Sequence, residues 1–241
     1  MIALLSSFMF ESDQILSRMK NIRSREIAGK AVSHGRLQGT EVLLVNTGIG
    51  KVNAAHAATC IMENFRVSKI INLGIGGAYP GSGLKVGDVA IASKEISGDE
   101  GVFDVKGWGG LRRLGFPLVE AEGKKYFNEF PLMLPARVSY SGRKNRNYIT
   151  KSGNFVTVAA ATGTQKGARE REKRFNAVCE NMEGAAVAQV CLMYKVPMME
   201  IRGISNRVGV RDKRTWNVKR ASEHCQEIVL KVIGPPFLLR V

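Results

Sequence analysis

Three features of the sequence predict an α/β fold. Short apolar runs bounded by Gly, Ser and Asn alternate with stretches of helical period, as in a sheet whose strands are linked by helices. The 241 residues, 44% of them hydrophobic, suffice for one substantial core, and a single domain over 1–241 is expected. The third is Asn181 to Asn206, NMEGAAVAQVCLMYKVPMMEIRGISN, which reads as a polar entry, a buried helix, a strand buried on both faces and a polar exit.

Taken in order, Ile2 to Leu5 is a short apolar strand, and Glu11 heads a helix running to about Lys20. Glu11 thus sits just past a strand end, either as a first-turn helix carboxylate or as a group facing the site that strand ends provide. Residues 26–46 divide into two strands broken at Gly35 to Gly39. GIGKVNAAHAATCIMEN is a turn and then a helix with Val52, Ala55, Thr59 and Met62 on one face. Its Gly48-Ile49-Gly50-Lys51 lacks the glycine spacing and the Ser/Thr of a P-loop, so Lys51 is given no catalytic role. SKIINLGIGGAYPGSGLKVGDVAIAS reads as strand, glycine-rich turn, strand. Tyr79 at the third glycine position and Pro80 after it exclude a dinucleotide fingerprint.

Residues 100–150 are rich in Pro and Gly and suggest a lid or an interface insertion. Their basic end at 141–151, SGRKNRNYITK with Tyr140 beside it, is either a stacking-plus-phosphate surface or a solvated loop. A strand, a turn at Thr162-Gly163-Thr164 and a helix from Gln165 follow. In the next helix Glu183 begins the line Val187, Val190, Cys191, Tyr194 that faces the core. Its carboxylate either caps the helix or turns its oxygens toward a ligand above the sheet. The strand after Pro197 ends at Ser205 and Asn206, so Glu183 and Asn206 can share one site. A last helix runs from about Trp216 to Ile233, and the tail PPFLLRV has no helical signal.

The net charge of +15 fits nucleic acid, an anionic membrane or acidic small molecules as partners. No helix-turn-helix, RRM or zinc-finger pattern accompanies it, and no apolar run reaches eighteen residues, so neither nucleic acid nor membrane is the expected partner. The opening MIALLSSFMFESDQ has no basic start and meets Glu11 too soon for a signal peptide, which predicts a cytoplasmic chain. Cys60, Cys179, Cys191 and Cys225 lack ligand spacing and read as buried free thiols; neither metal nor organic cofactor is expected.

The run NMEGAAVAQVC, then VP, then RGISN resembles the C-terminal signature of the nucleoside phosphorylase and nucleosidase superfamily. Within it the closest likeness is to the futalosine hydrolases, whose purine position is similarly Asn and is followed by a segment like Val208 to Asp212 and a Trp, here Trp216. The resemblance implies a three-layer αβα fold with a central mixed, twisted sheet, and a homodimer. It implies that Glu183, with Asn181 and Met182, binds ribose, that Glu11 activates the attacking water, and that Ile75, Gly76 and Gly77 line the pocket. Ser205 and Asn206 meet the purine. Superfamily phosphorylases carry Arg and Ser where this chain has Asn72 and Ile75, so water is the implied nucleophile. Adenine-specific nucleosidases have an acid at the position of Thr164 and an aromatic near Lys166; both are missing here, and the stacking residue is left unassigned.

Asn206 carries information of its own. An amide cannot act as an acid, but it donates to N7 or to a 6-oxo oxygen, which suits hypoxanthine or guanine. The resemblance and this amide together predict hydrolysis of futalosine to release hypoxanthine in menaquinone biosynthesis. A methylthioadenosine/S-adenosylhomocysteine nucleosidase is the alternative enzyme, and a basic nucleic-acid-binding protein on the same fold is the alternative of another class. Arg202 either assists the site or forms a strand-end ion pair; Arg211 and Asp212 are further candidates, Asp212 as proton source for the leaving base. Glu100 either contacts the substrate's far end or is a solvated loop acid.

Overall fold

The computed structural model describes residues 1–135 and 147–234. The elements run β1 Ile2–Ser6, a 3-10 turn Met9–Glu11, α1 Asp13–Arg18, β2 Lys20–Ile27, β3 Lys30–Leu37, β4 Thr40–Asn46, α2 Lys51–Asn64 and β5 Lys69–Ala78. There follow β6 Val89–Ser97, β7 Gly101–Asp104, β8 Gly107–Gly110, β9 Val119–Ala121, β10 Lys124–Tyr126, β11 Glu129–Pro131 and β12 Thr150–Thr157. The C-terminal third is α3 Gln165–Phe175, β13 Ala177–Asn181, α4 Gly184–Met193, β14 Met198–Arg207 and α5 Val218–Ile233. Ten strands form one mixed sheet, and β7–β8 and β9–β10 are separate antiparallel pairs.

Period-two alternation along the central strands divides the core into two layers. Ala3, Leu5, Leu43, Val45 and Ile70 face α2 and α4, while Leu4, Leu44, Ile71 and Ile201 face α5. Five strands close a circuit. β5 pairs with β14, β14 with β6, β6 with β12, β12 with β13, and β13 returns antiparallel to β5 at Cys179 and Glu180. Closure requires a strand without side-chain bulk at the seam: a Cβ on Gly76 would lie 2.6 Å from Cys179 Sγ.

Several local expectations are corrected. The expected glycine-rich turn at Gly74 to Gly77 is the end of β5, because both neighbouring strands hydrogen-bond to it. Gly35 does not break a strand; it lies inside β3 opposite Val42, and the turn is at Gln38 and Gly39, both at positive φ. Glu11 belongs to the 3-10 turn, not to a helix reaching Lys20, since Lys20 already begins β2. The buried face of α2 is Ala54, Ala57, Ala58 and Ile61, and Val52 is 84% exposed. Alanines let that helix lie close to both the sheet and α4, so volume, not hydrophobicity, chose the face. Tyr194 ends α4 exposed, its hydroxyl on Glu63. α5 begins two residues later than expected, where the Asn217 side chain accepts from Arg220 N–H at 3.0 Å.

The basic residues 141–146 and the tail 235–241 lie outside the described residues. Among the described residues no helix is long and apolar enough to cross a membrane.

Candidate active site

The carboxyl ends of β1, β5, β13 and β14 surround a cavity of about 320 Å³. Glu11, Ile75, Gly76, Gly77, Asn181, Met182, Glu183, Ser205 and Asn206 all line it, although they come from four separate stretches of chain. Phe8, Ile49, Thr162, Glu180, Arg202, Arg211 and Trp216 are also part of the wall.

Glu183 occupies the position before α4, yet its side chain does not cap the helix. The free N–H groups there are taken by others: Asn181 Oδ1 accepts from Glu183 and Gly184, at 2.9 and 2.7 Å, and Thr157 Oγ1 accepts from Ala185 at 2.8 Å. The Glu183 carboxylate is therefore released from capping duty. It accepts from Gly50 N–H at 3.0 Å and lies 3.3 Å from Arg202 Nη1.

Glu11 is 2% exposed. Its Oε2 accepts from the Ser7 and Phe8 N–H groups, each at 2.9 Å, and its Oε1 from Ile75 N–H at 2.9 Å. Burial raises its pKa above the ordinary 4.5, outweighing Arg202 and the backbone donors, which act the other way. Gly74 makes this approach feasible, because a Cβ there would lie 2.5 Å from Glu11 Oε1.

Arg202 is no strand-end ion pair. It sits within β14, 1% exposed, its Nε donating to Glu200 at 2.8 Å and its Nη1 to the Ile75 carbonyl at 3.2 Å. Burial lowers the affinity of a guanidinium for its proton, but Glu200, Glu183 and Glu11 together hold it firmly charged. The signal in the sequence was a pair of charges two residues apart, Glu200 and Arg202, inside an apolar strand: both must point to one face and need partners there.

At the other end of the cavity, Ser205 Oγ donates to Asn206 Oδ1 at 2.8 Å, and Asn206 Nδ2 donates to the Arg207 carbonyl at 3.2 Å. The amide is thereby oriented with its carbonyl tied down. Arg211 lies over the Trp216 ring at 5.0 Å, and among the described residues the buried Trp216 Nε1 meets no acceptor. Phe8 and Trp216 are the aromatic side chains of the wall. Glu180, not singled out from sequence, braces the turn before α3 by accepting from Thr162 N–H at 2.8 Å and from Tyr79 Oη at 2.9 Å.

Other candidates fall away from the cavity. Asp212 is held by Arg214 at 2.9 and 2.8 Å, which lowers its pKa and leaves it no proton to give. Glu100 does not line the cavity; with Asp99 it pairs Lys51, at 2.9 and 2.7 Å. Thr164 caps α3, accepting from Gly167 N–H at 3.2 Å, and Lys166 is exposed on that helix. Cys179, Cys191 and Cys225 are buried free thiols, and Cys60 is partly exposed.

One end of the cavity thus presents anionic oxygens around a guanidinium, and the other presents N–H donors beside the Trp216 ring. That polarity suits a ligand with hydroxyls at one end and a heteroaromatic ring at the other. The family model of the phosphorylase superfamily matches residues 2–234. The chain is 37% identical to the futalosine hydrolase of Thermus thermophilus over 82% of its own length and 84% of the relative's. It is 30% identical to the 5'-methylthioadenosine/S-adenosylhomocysteine nucleosidase of Geobacillus kaustophilus over 90% of both. The structure of such a nucleosidase from Colwellia psychrerythraea in complex with adenine superposes with a TM-score of 0.79, covering 96% of this chain and 93% of that one at 24% identity. By the family model, the relatives and the fold together, the chain belongs to the phosphorylase superfamily.

Proposed function

We propose that this chain is a purine nucleosidase that hydrolyses the N-glycosidic bond of futalosine and releases hypoxanthine, on the route to menaquinone. The observation that carries the reading is the Asn206 amide, tied through its carbonyl to Ser205 and set in the same cavity as Glu11 and Glu183. The 37% identity to a futalosine hydrolase supports it.

Cleavage passes through an oxocarbenium-like sugar, so the site must hold the ribose, supply water and stabilise the departing base. Glu183 accepts from the ribose hydroxyls and places negative charge beside the developing cation. Glu11, raised in pKa by burial, takes the proton of the attacking water. Asn206 donates to N7 or O6 of the base, and Trp216 flanks the ring. Asn72, at one phosphorylase-specific position, donates to Glu200 at 3.1 Å, and Arg202 is engaged by carboxylates; water is the nucleophile in this reading. A basic chain also steers an acidic nucleoside to its pocket.

The enzyme works as a cytoplasmic homodimer in this reading. Exposed Val52 and Met193 line one shallow depression with Ala55 and Val190, a surface suited to a second copy, and the β7–β8 and β9–β10 hairpins form a lid or a subunit contact. The test of function is purine release from futalosine, inosine, methylthioadenosine and S-adenosylhomocysteine in phosphate-free buffer, with Glu183→Gln as blank. Hypoxanthine from futalosine is the expected product. Adenine from methylthioadenosine replaces the reading with the alternative nucleosidase, and release only on adding phosphate replaces water as nucleophile.

A further inference from the structure

Beneath the cavity lie two carboxyl groups that the reaction does not use. Glu95 on β6 and Glu200 on β14 are both 0% exposed, and among the described residues Glu200 Oε2 meets no donor. They converge on the first turn of α4: a Cβ on Gly184 would lie 2.2 Å from Glu95 Oε1 and 2.2 Å from Glu200 Oε2. Each holds one arm of a bracket. Glu95 accepts from Asn181 Nδ2 at 2.5 Å and from Thr157 Oγ1 at 2.7 Å, and these two side chains are the ones that cap α4. Glu200 accepts from Arg202 Nε at 2.8 Å, and Arg202 reaches Glu183. Both arms end at Glu183, one through its backbone and one through its carboxylate.

Two carboxyl groups converging out of water repel strongly if both are anions, and a proton on one of them removes the repulsion and supplies the donor that Glu200 Oε2 lacks. We propose that Glu95 and Glu200 share a single proton and act as the positioning pair that sets Arg202 and the Glu183 cap in place. The proton resides on Glu95, because Arg202 and Asn72 both donate to Glu200 and hold it as the anion. Burial and the neighbouring Glu200 push the Glu95 carboxyl well above the usual carboxylate range. The charged and titratable groups that interact with the pair are Arg202, Glu183 and the thiols of Cys179 and Cys191; Glu11 stands one step further, on Arg202, and Glu180 on Cys179. Arg202 is the cation among them, so one guanidinium serves several acids and a neutral Glu95 relieves the excess.

The activity arm of the test rests on the nucleosidase reading; the spectroscopic arm does not. Infrared absorption of the full-length protein at neutral pH is expected to contain a neutral-carboxyl component that Glu200→Gln removes and Glu11→Gln retains. In Glu200→Gln the new amide donates to Glu95, which then ionises. The raised group binds its proton more tightly folded than unfolded, so stability is full below 4.5 and declines as pH rises toward the folded value. Glu200→Gln is expected to flatten that decline, to remove the matching alkaline fall in kcat/KM, and to lower kcat/KM about tenfold at neutral pH. A wild-type protein without the neutral-carboxyl band, or a band unchanged by Glu200→Gln, overturns the proposal. If the variant does not fold, the wild-type band decides: its loss on alkaline titration in step with falling Tm supports the pair, and an absent band overturns it. The expected band with no purine release from any nucleoside leaves the pair standing and removes the nucleosidase reading.

Discussion

The two ends of the cavity are built in opposite ways. At the deep end Glu11, Glu183 and Arg202 are each less than 5% exposed and anchored by backbone or charged partners. At the other end Asn206 is half-buried, Arg211 is exposed, and Trp216 closes a short 3-10 turn, Lys213–Thr215. Groups that must act on a reacting bond need fixed geometry, which only strand ends and buried ion pairs supply. Groups that tell one base from another need only complementary donors, and these sit on segments that tolerate change. In the proposed function, the deep end carries chemistry and the outer end carries substrate choice.

That division predicts a graded set of losses. Glu183→Gln is expected to lower kcat about 10³-fold while leaving Tm within a few degrees, because α4 is capped by Asn181 and Thr157. A large loss of Tm would place Glu183 in the scaffold instead, and melting curves beside single-turnover rates decide it. Glu11→Gln is expected to cost about 10²- to 10³-fold. The base works when ionised and its pKa is raised, so wild-type activity falls as pH drops through a value above 4.5, and the variant loses that acid limb in a pH–rate profile.

At the outer end the effects are smaller and change selectivity more than rate. Asn206→Asp exchanges a fixed donor for a group that can protonate N7 and accept from a 6-amino group. The ratio of hypoxanthine to adenine release under competition is expected to fall roughly 10²-fold. Trp216→Phe keeps an aromatic ring and removes the indole N–H, which meets no acceptor among the described residues, with an expected rise in KM of about threefold to tenfold and little change in kcat. A kcat effect as large as that of Glu11→Gln would erase the distinction between the two ends.

Much of this arrangement was legible in the chain. The helix-strand signature at 181–206 located Glu183, Ser205 and Asn206, because a carboxylate at a helix head and polar residues at the end of an apolar strand break the period they interrupt. The face of α2 was misjudged because Ala is a weak hydrophobic signal, though it packs best between close elements. The role of Arg202 stayed ambiguous because its partners Glu183 and Glu11 are remote in sequence, and only Glu200 is near.

Residue type and local period alone determined the α/β class, the strand-end placement of the polar groups, and the donor character of Asn206. Only the tertiary structure decided that Asn181 and Thr157, not Glu183, cap α4, and that one guanidinium is shared among several acids. The physical reason is the closed circuit of strands: β13 folds back antiparallel onto the glycine end of β5, bringing capping, anionic and donor groups within hydrogen-bond reach. Which buried polar group satisfies which other is a question of distance across the sheet, and local sequence holds no information about it.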